Sequence, residues 1–428
     1  MRIPTIVPLA FGLALVHVPL ASATAQQAPP PLTLAQARAA AFRDSPRLAS
    51  ARAALEAALA RARQAGALTN PTLSYGYEQT AVGNERNSQM ITALEQPLEL
   101  TGVRSARQEA ARWLAEGTAA DLGAARAEVA FEATQAYALA QAAGERLALA
   151  ERAAAAFDRA QRVTGARLAA GDVSGYEARR VRLEGARYAA VRSEAALARR
   201  TAYLALATLT GMPPDSLAAT GLVPLESQPP APALLDRDSI VTLALQRRPE
   251  LRAGEAQVAA AQANARAAGR ERIPLPIISA GWKTEQISAA VTRLNGFVAG
   301  VSLALPFWDR RGGAVSAANA EARAREADVE LVRRQVVRDV EEARASLLAV
   351  LEEVQRLSAV LGPEATAALQ AAETAYTEGE IGLVEWLDAV RAYQEAESSY
   401  ATLRADLYVR RAALERATGG PPMEDSQP

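Results

Sequence analysis

Residues 70–78 read Asn70-Pro71-Thr72-Leu73-Ser74-Tyr75-Gly76-Tyr77-Glu78. Leu73, Tyr75 and Tyr77 alternate with Ser74, Gly76 and Glu78, a period of two that predicts a β-strand. Upstream, Leu34 to Leu68 is rich in Ala, Leu, Arg and Glu, all good helix formers, with Pro46 its one proline. Asn70-Pro71 ends that helix, because the residue before a proline is pushed out of the helical region. Downstream, the polar loop Gly83-Asn84-Glu85-Arg86-Asn87 precedes a second apolar run from Ser88 to about Leu94, closed by Pro97. The two runs predict a β-hairpin over about 72–96. From about Arg104 the helical composition returns and continues to Thr164, on the order of 90 Å of helix if unbroken. A glycine-bounded turn, Gly165 to Gly175, then leads to another long helix ending near Leu209.

The same order recurs. Pro46 and Pro249 lie 203 residues apart, as do Pro71 and Pro274. Gly171-Asp172-Val173-Ser174 matches Gly379-Glu380-Ile381-Gly382 at an offset of 208, and Thr210-Gly211 matches Thr418-Gly419 at the same offset. Ordered anchors of this kind predict an internal two-fold repeat. The second copy reads as a helix over Asp238–Arg272, stopped by Pro274 and Pro276, then a strand in which Ile278, Ala280 and Trp282 alternate with smaller or polar residues. After a loop near Ser288 to Asn295, Phe297, Ala299, Val301, Leu303 and Leu305 alternate up to Pro306, giving a second hairpin over about 277–305. Helices are expected over Val315–Leu361 and Pro363–Ala417. The repeats span 26–211 and 236–419, joined by a Pro-rich linker, 212–235, and followed by a disordered tail, 420–428.

Composition narrows the function. The 428 residues are half apolar and carry a net charge of −1, which argues against a nucleic-acid partner. Cysteine is absent and His17 is the one histidine. The side chains that most often bind zinc, copper or haem, or shuttle protons, are therefore missing, which argues against an enzyme and leaves only carboxylates for any metal. Residues 1–25 read as a signal peptide. Arg2 precedes an apolar stretch broken by Pro8 and Pro19, and Ala23-Thr24-Ala25 offers a small-x-small cleavage site. Beyond Ala25 no apolar run approaches the ~20 residues of a membrane helix, so any membrane passage must be made by strands.

Four strands of roughly ten residues suit a tilted bilayer crossing, yet four cannot close into a barrel. Open edges are not tolerated in lipid, so neighbouring subunits must supply the remaining strands. Two copies give eight and three give twelve. Phe307 and Trp308, just past the last strand, fit either an aromatic belt at the membrane interface or a staple between strand and helix core. Trp113, Tyr137, Tyr376 and Trp386 read as packing anchors, and Glu341-Glu342 and Glu352-Glu353 as water-facing helix residues.

The ordered pattern of helix, hairpin, long helix and long helix resembles the TolC-type outer membrane efflux family across nearly the whole chain. Gln96-Pro97-Leu98-Glu99-Leu100-Thr101-Gly102-Val103-Arg104 and Leu305-Pro306-Phe307-Trp308-Asp309-Arg310-Arg311-Gly312 look like its two strand-to-helix junctions, marked here by Pro71, Pro97, Pro274 and Pro306. Both strings are similar to the heavy-metal, cobalt-zinc-cadmium type, branch. Gly379 to Ala389 (GEIGLVEWLDA) resembles the family's helix–turn–helix at the periplasmic tip. The resemblance implies a mainly α chain with a membrane β-barrel portion. Its form would be a homotrimeric twelve-stranded barrel, four strands per chain, continuous with a long periplasmic α-helical barrel. It implies an outer-membrane location, contact with outer-membrane lipid, a periplasmic adaptor, an inner-membrane pump of the RND type, and no cofactor.

It also implies a periplasmic gate at Glu385 and Asp388. Their spacing of three puts both carboxylates on one helix face, where threefold symmetry would make two stacked acidic rings. An ordinary solvated acidic face is the competing reading. Ile381 stands where some members carry a gate-locking arginine. Gly171, Ser174, Tyr176, Glu177, Gly379 and Gly382 mark the tips expected to dock the adaptor. Two other functions stand at this point: a duct for type I protein secretion, and a non-channel periplasmic coiled-coil scaffold.

Overall fold

A computed structural model describes residues 30–226, 236–287, 292–358 and 363–420. The expected signal peptide with its cleavage site and His17, the linker part 227–235, the loop part 288–291 and the tail from 421 lie outside the described residues.

Two helices, α1 (Leu34–Asp44) and α2 (Pro46–Ala65), lead into β1 (Thr72–Val82) and β2 (Glu85–Pro97). The very long α3 (Val103–Ala170) and α4 (Gly175–Thr210) follow, then a short α5 (Pro214–Thr220). Next come α6 (Arg237–Arg247), α7 (Pro249–Arg270), β3 (Ile277–Ile287) and β4 (Thr292–Ser302). The chain finishes with α8 (Gly312–Ser358), α9 (Pro363–Glu378) and α10 (Leu383–Ala417).

Several boundaries differ from the sequence expectation, each for a local reason. The single helices expected over 34–68 and 238–272 are each split in two at Ser45-Pro46 and Arg248-Pro249. Proline has no N–H to continue the ladder, and it serves instead as the first residue of a new helix. Ser45 caps that restart by accepting from the Leu48 N–H at 3.3 Å. Gly165 does not break α3, which runs on to Ala170, so the turn is only 171–174. The Pro-rich linker holds α5 and a parallel bridge between Leu32 and Leu222.

The helices stack lengthwise. α3 packs along α4, α7 and α10, while α8 packs along α7 and α10. Burial is correspondingly strung out in separate clusters: one around Ile240, Val336, Val340 and Leu347, another around Tyr137, Leu206 and Leu217. Much of the buried surface is alanine, which lets helix axes approach closely. Tyr137 is fully buried and bonds both Leu32 O and Val223 O at 2.7 Å, tying the two ends of the α1–α5 segment to α3. No helix among the described residues is long and apolar enough to cross a membrane.

The strands form one antiparallel sheet in the order β1-β2-β3-β4, so the edges of β1 and β4 are unpaired within the chain. β2 begins at Glu85, earlier than its polar sequence suggests, because Arg86 and Glu85 pair with Ala81 and Val82 across a two-residue turn. β4 ends at Ser302, short of Leu305, because its partner begins at Ile277 and offers nothing further to pair with.

The register sorts the side chains into two unlike faces. One face carries Leu73, Tyr75, Tyr77, Met90, Leu94, Ile278, Trp282, Phe297 and Val301, with no carboxylate. Tyr75, Thr92, Trp282 and Phe297 line up in one row across it. The other face carries Glu78, Glu85, Glu95, Glu285 and Lys283, and all four sheet glycines, Gly76, Gly281, Gly296 and Gly300. At Gly281 a Cβ would come within 2.4 Å of Thr92 O and 2.7 Å of Ala93 Cβ, so that face admits no side chain there.

Pro71 and Pro274 precede β1 and β3, Pro97 ends β2, and Pro306 lies between β4 and α8. The first junction is fixed by Glu99, whose side chain accepts from Arg107 at 2.7 Å and Thr69 at 3.1 Å. The second is fixed by Asp309, which accepts from the Arg311 N–H at 2.7 Å, and by an Arg311–Glu271 pair. Trp308 is 96% exposed and meets Phe307 edge-on, so the stapling alternative fails for this pair. Trp113 is likewise no anchor at 41% exposure, whereas Tyr137, Tyr376 and Trp386 are buried. Of the acidic pairs, Glu341 bridges to Arg237 on α6, and Glu342, Glu352 and Glu353 pair with arginines of α8 itself.

Candidate functional site

The two helical hairpins, α3–α4 and α9–α10, end side by side. Each turn depends on a left-handed glycine, Gly171 at φ 84° and Gly379 at φ 85°. At the first, Asp172 N donates to Arg167 O at 2.9 Å, and Ser174 caps α4 by accepting from the Glu177 N–H at 3.2 Å. At the second, Glu380 N donates to Ala375 O at 2.8 Å, closing the helix end in a Schellman-like turn. Gly382 then opens α10. The Arg167 guanidinium lies so close to Gly379 that a Cβ there would meet it at 2.8 Å.

Beneath the turns sits an aromatic cluster that ties the hairpins together. Trp386 (1% exposed) stacks on Tyr376 with centroids 5.0 Å apart and meets Phe157 edge-on at 4.8 Å. Phe157 in turn stacks on Tyr188 at 4.4 Å. The buried Tyr376 hydroxyl lies 3.0 Å from the Thr164 hydroxyl. Burial raises the Tyr188 and Tyr376 phenols above their ordinary pKa, so both stay neutral across the physiological range. Val181, Leu383, Leu387 and Val390 complete the cluster, with Ile381 packed against it.

Ion pairs edge this cluster. Arg391 on α10 donates to Glu184 on α4 at 2.9 Å, and Arg159 on α3 pairs with Glu373 on α9 at 3.1 Å. Aromatic residues make up only 5% of the chain, and nothing in the sequence singled out Phe157 or Tyr188 before the fold brought them together. Glu184 and Arg391 lie 207 residues apart, with no shared motif to connect them.

Of the residues singled out from sequence, Glu385 and Asp388 are both exposed on α10, one turn from the tip. Glu385 has a local task that sequence reasoning missed: its carboxylate accepts from the Gly382 N–H at 3.1 Å, capping its own helix. Asp388 lies 3.9 Å from Arg391, on the rim of the interhelical pair. Tyr176 is exposed at the start of α4, and Glu177 is half-buried beside it. The tip thus presents Glu385 and Asp388, together with the exposed carboxylates of Asp172, Glu378 and Glu380, on a tightly packed base. Among the described residues no group of acidic side chains has the spacing of a metal centre.

The family model described as outer membrane efflux protein matches residues 37–212 and 240–420. The cobalt-zinc-cadmium resistance protein CzcC of Cupriavidus metallidurans is 26% identical over 395 residues, spanning 92% of this chain and 91% of that protein. The outer-membrane channel OprN superposes with a TM-score of 0.75 at 22% identity, covering 91% of this chain and 90% of that one. CusC, whose structures concern transmembrane channel formation, superposes with a TM-score of 0.73 at 19% identity, covering 91% of this chain and 92% of that one.

Proposed function

The chain belongs to the outer membrane efflux protein family, and we propose that three copies of it form a passive exit duct through the outer membrane. The duct takes substrate from an inner-membrane pump of the RND type, through a periplasmic adaptor, to the outside. The observation that carries this reading is the four-stranded sheet with two open edges and two unlike faces. An aromatic, carboxylate-free face suits lipid, and a polar, glycine-lined face suits a water-filled lumen. Eleven tilted residues rise about 26 Å across the bilayer, matching the ~25 Å apolar band of outer-membrane barrels. Joining β4 of one copy to β1 of the next closes twelve strands and leaves no edge in lipid. The exposed Phe307–Trp308 pair then sits at the membrane boundary.

The chain reads as two repeats, 26–211 and 236–419, in keeping with the two stretches the family model matches. The tips formed by Gly171, Ser174, Tyr176, Glu177, Gly379 and Gly382 dock the adaptor, and the rings of Glu385 and Asp388 gate the mouth. Heavy-metal cations are the substrate class that the likeness to CzcC favours.

The gate is tested in planar bilayers with Glu385→Gln and Asp388→Asn together. Glutamine keeps an acceptor for the Gly382 cap while the charge is lost. The double variant is expected to raise conductance or abolish block by added divalent cations. Currents identical to wild type in size and divalent sensitivity would overturn the gate assignment.

A further inference from the structure

Lys283 is the only lysine in the sequence, against 46 arginines. It lies in the middle of β3, on the glycine-lined face of the sheet. Its row neighbours are Ile91 on one side and Gly296 on the other, with Gly76 beyond Ile91. No long side chain stands beside it toward β4. The remaining charges on this face are Glu78, Glu85, Glu95 and Glu285, and Glu285 pairs with Lys283 at 3.1 Å. One ammonium is thus set among four carboxylates. The opposite face holds only Arg86 and Arg293, both close to the hairpin turns.

We infer that Lys283 is a specificity-determining residue of the pore, its three copies forming a positive ring that limits the cation preference of an otherwise acidic lumen. This rests on the trimeric duct proposed above. Four carboxylates and one ammonium give the inner face −3 per copy, and loss of the lysine gives −4. It also releases Glu285 from its partner, so the field changes where the wall is smoothest and ions pass with least steric hindrance. Lysine suits the position because its slender stem and mobile ammonium neutralise Glu285 without a planar fork that glycine neighbours would leave unsupported.

The uniqueness of the amine supplies the test. Reversal potentials are measured in planar bilayers under a KCl gradient for the full-length protein. Measurements are made before and after a membrane-impermeant acylating reagent, which in this chain attacks only Lys283 and the N-terminal amine. Lys283→Ala is expected to raise the cation-to-anion permeability ratio roughly fourfold, for a ring about one Debye length from the pore axis. Acylation of the wild type should shift the ratio the same way. Lys283→Arg, which keeps the charge but not the side-chain amine, should keep the wild-type ratio both before and after the reagent, whose one remaining target is then the N-terminal amine. Because acylation is performed on the assembled wild-type channel, a folding defect in the alanine variant does not decide the outcome. Channels whose ratio stays put after acylation and in Lys283→Ala would remove Lys283 from the conduction path while leaving the duct intact. Wild-type protein that yields no channels would instead bring down the duct, and the lysine ring with it.

Discussion

Replacing Trp386 with alanine should loosen the tip without unfolding the rest of the chain. The side chain is 1% exposed and contacts two rings, Tyr376 at 5.0 Å and Phe157 at 4.8 Å. A buried Trp→Ala change costs about 3–5 kcal/mol, of which aromatic contacts contribute about 0.5–1.5 kcal/mol each. The upper part of that range applies here because the neighbours are pinned. Tyr376 is held by Thr164 at 3.0 Å and Phe157 by its stack on Tyr188, so neither can swing in to fill the hole. A loss of about 4 kcal/mol corresponds to a roughly thousandfold rise in the local opening constant, readable by amide hydrogen exchange. The increase should appear at the C-terminal end of α9, in the first turns of α10 and around Phe157. Amides around Tyr137, in a separate cluster, should keep their protection. Trp386→Phe should recover about half of the loss, since it retains one ring. Exchange within about tenfold of wild type at the tip, or an equal loss along the whole chain, would refute the idea that this cluster holds the hairpins together.

Two further outcomes follow from the caps and the buried phenols. Gly379→Ala should cost about 1–2 kcal/mol in thermal or denaturant unfolding of the tip, because its φ of 85° is left-handed and Arg167 occupies the Cβ position; Gly382→Ala, at φ −78°, should cost far less. Burial pushes the Tyr137 phenol up to about 12 from an ordinary value near 10. Its contribution is therefore complete below about pH 10 and is lost as pH rises through about 12, at about 1.4 kcal/mol per pH unit in between. Burial raises Tyr188, Tyr203, Tyr376 and Tyr408 in the same direction, so they add to the loss of stability on the alkaline side. Tyr137→Phe should lower stability at neutral pH and reduce that alkaline slope by one proton, measured as unfolding midpoints across the series.

The parts of this fold visible in the sequence are those set by local chemistry. Proline at 71, 97, 274 and 306 and the alternation through Tyr75, Tyr77 and Trp282 placed both hairpins, since period two has no helical interpretation over such lengths. Boundaries set by a partner were not visible. Glu85 and Arg86 look like loop residues until β1 supplies Val82 and Ala81 opposite them. Leu303 and Leu305 look like strand until β3 runs out at Ile277. Helix-forming neighbours hid the breaks at Pro46 and Pro249, while an isolated Gly165 suggested a break that the surrounding turns of α3 override. At the tip, the exposed carboxylates and the glycine turns were legible from spacing. The Glu184–Arg391 pair was not, because it joins α4 to α10 and forms only once the hairpins have docked, and the Phe157–Tyr188 stack was not, because its rings meet only when α3 folds back along α4.

The unpaired borders of β1 and β4 bear on how the molecule is made. Each is an eleven-residue strand whose outward-pointing backbone groups have no partner within the chain, flanking an oily, aromatic surface, the template from which irregular strand-on-strand clumping grows. On the trimer proposed above, a copy that has met no partners is therefore at its most vulnerable. Its yield should fall when synthesis outruns encounter and rise with any periplasmic holdase that masks those borders.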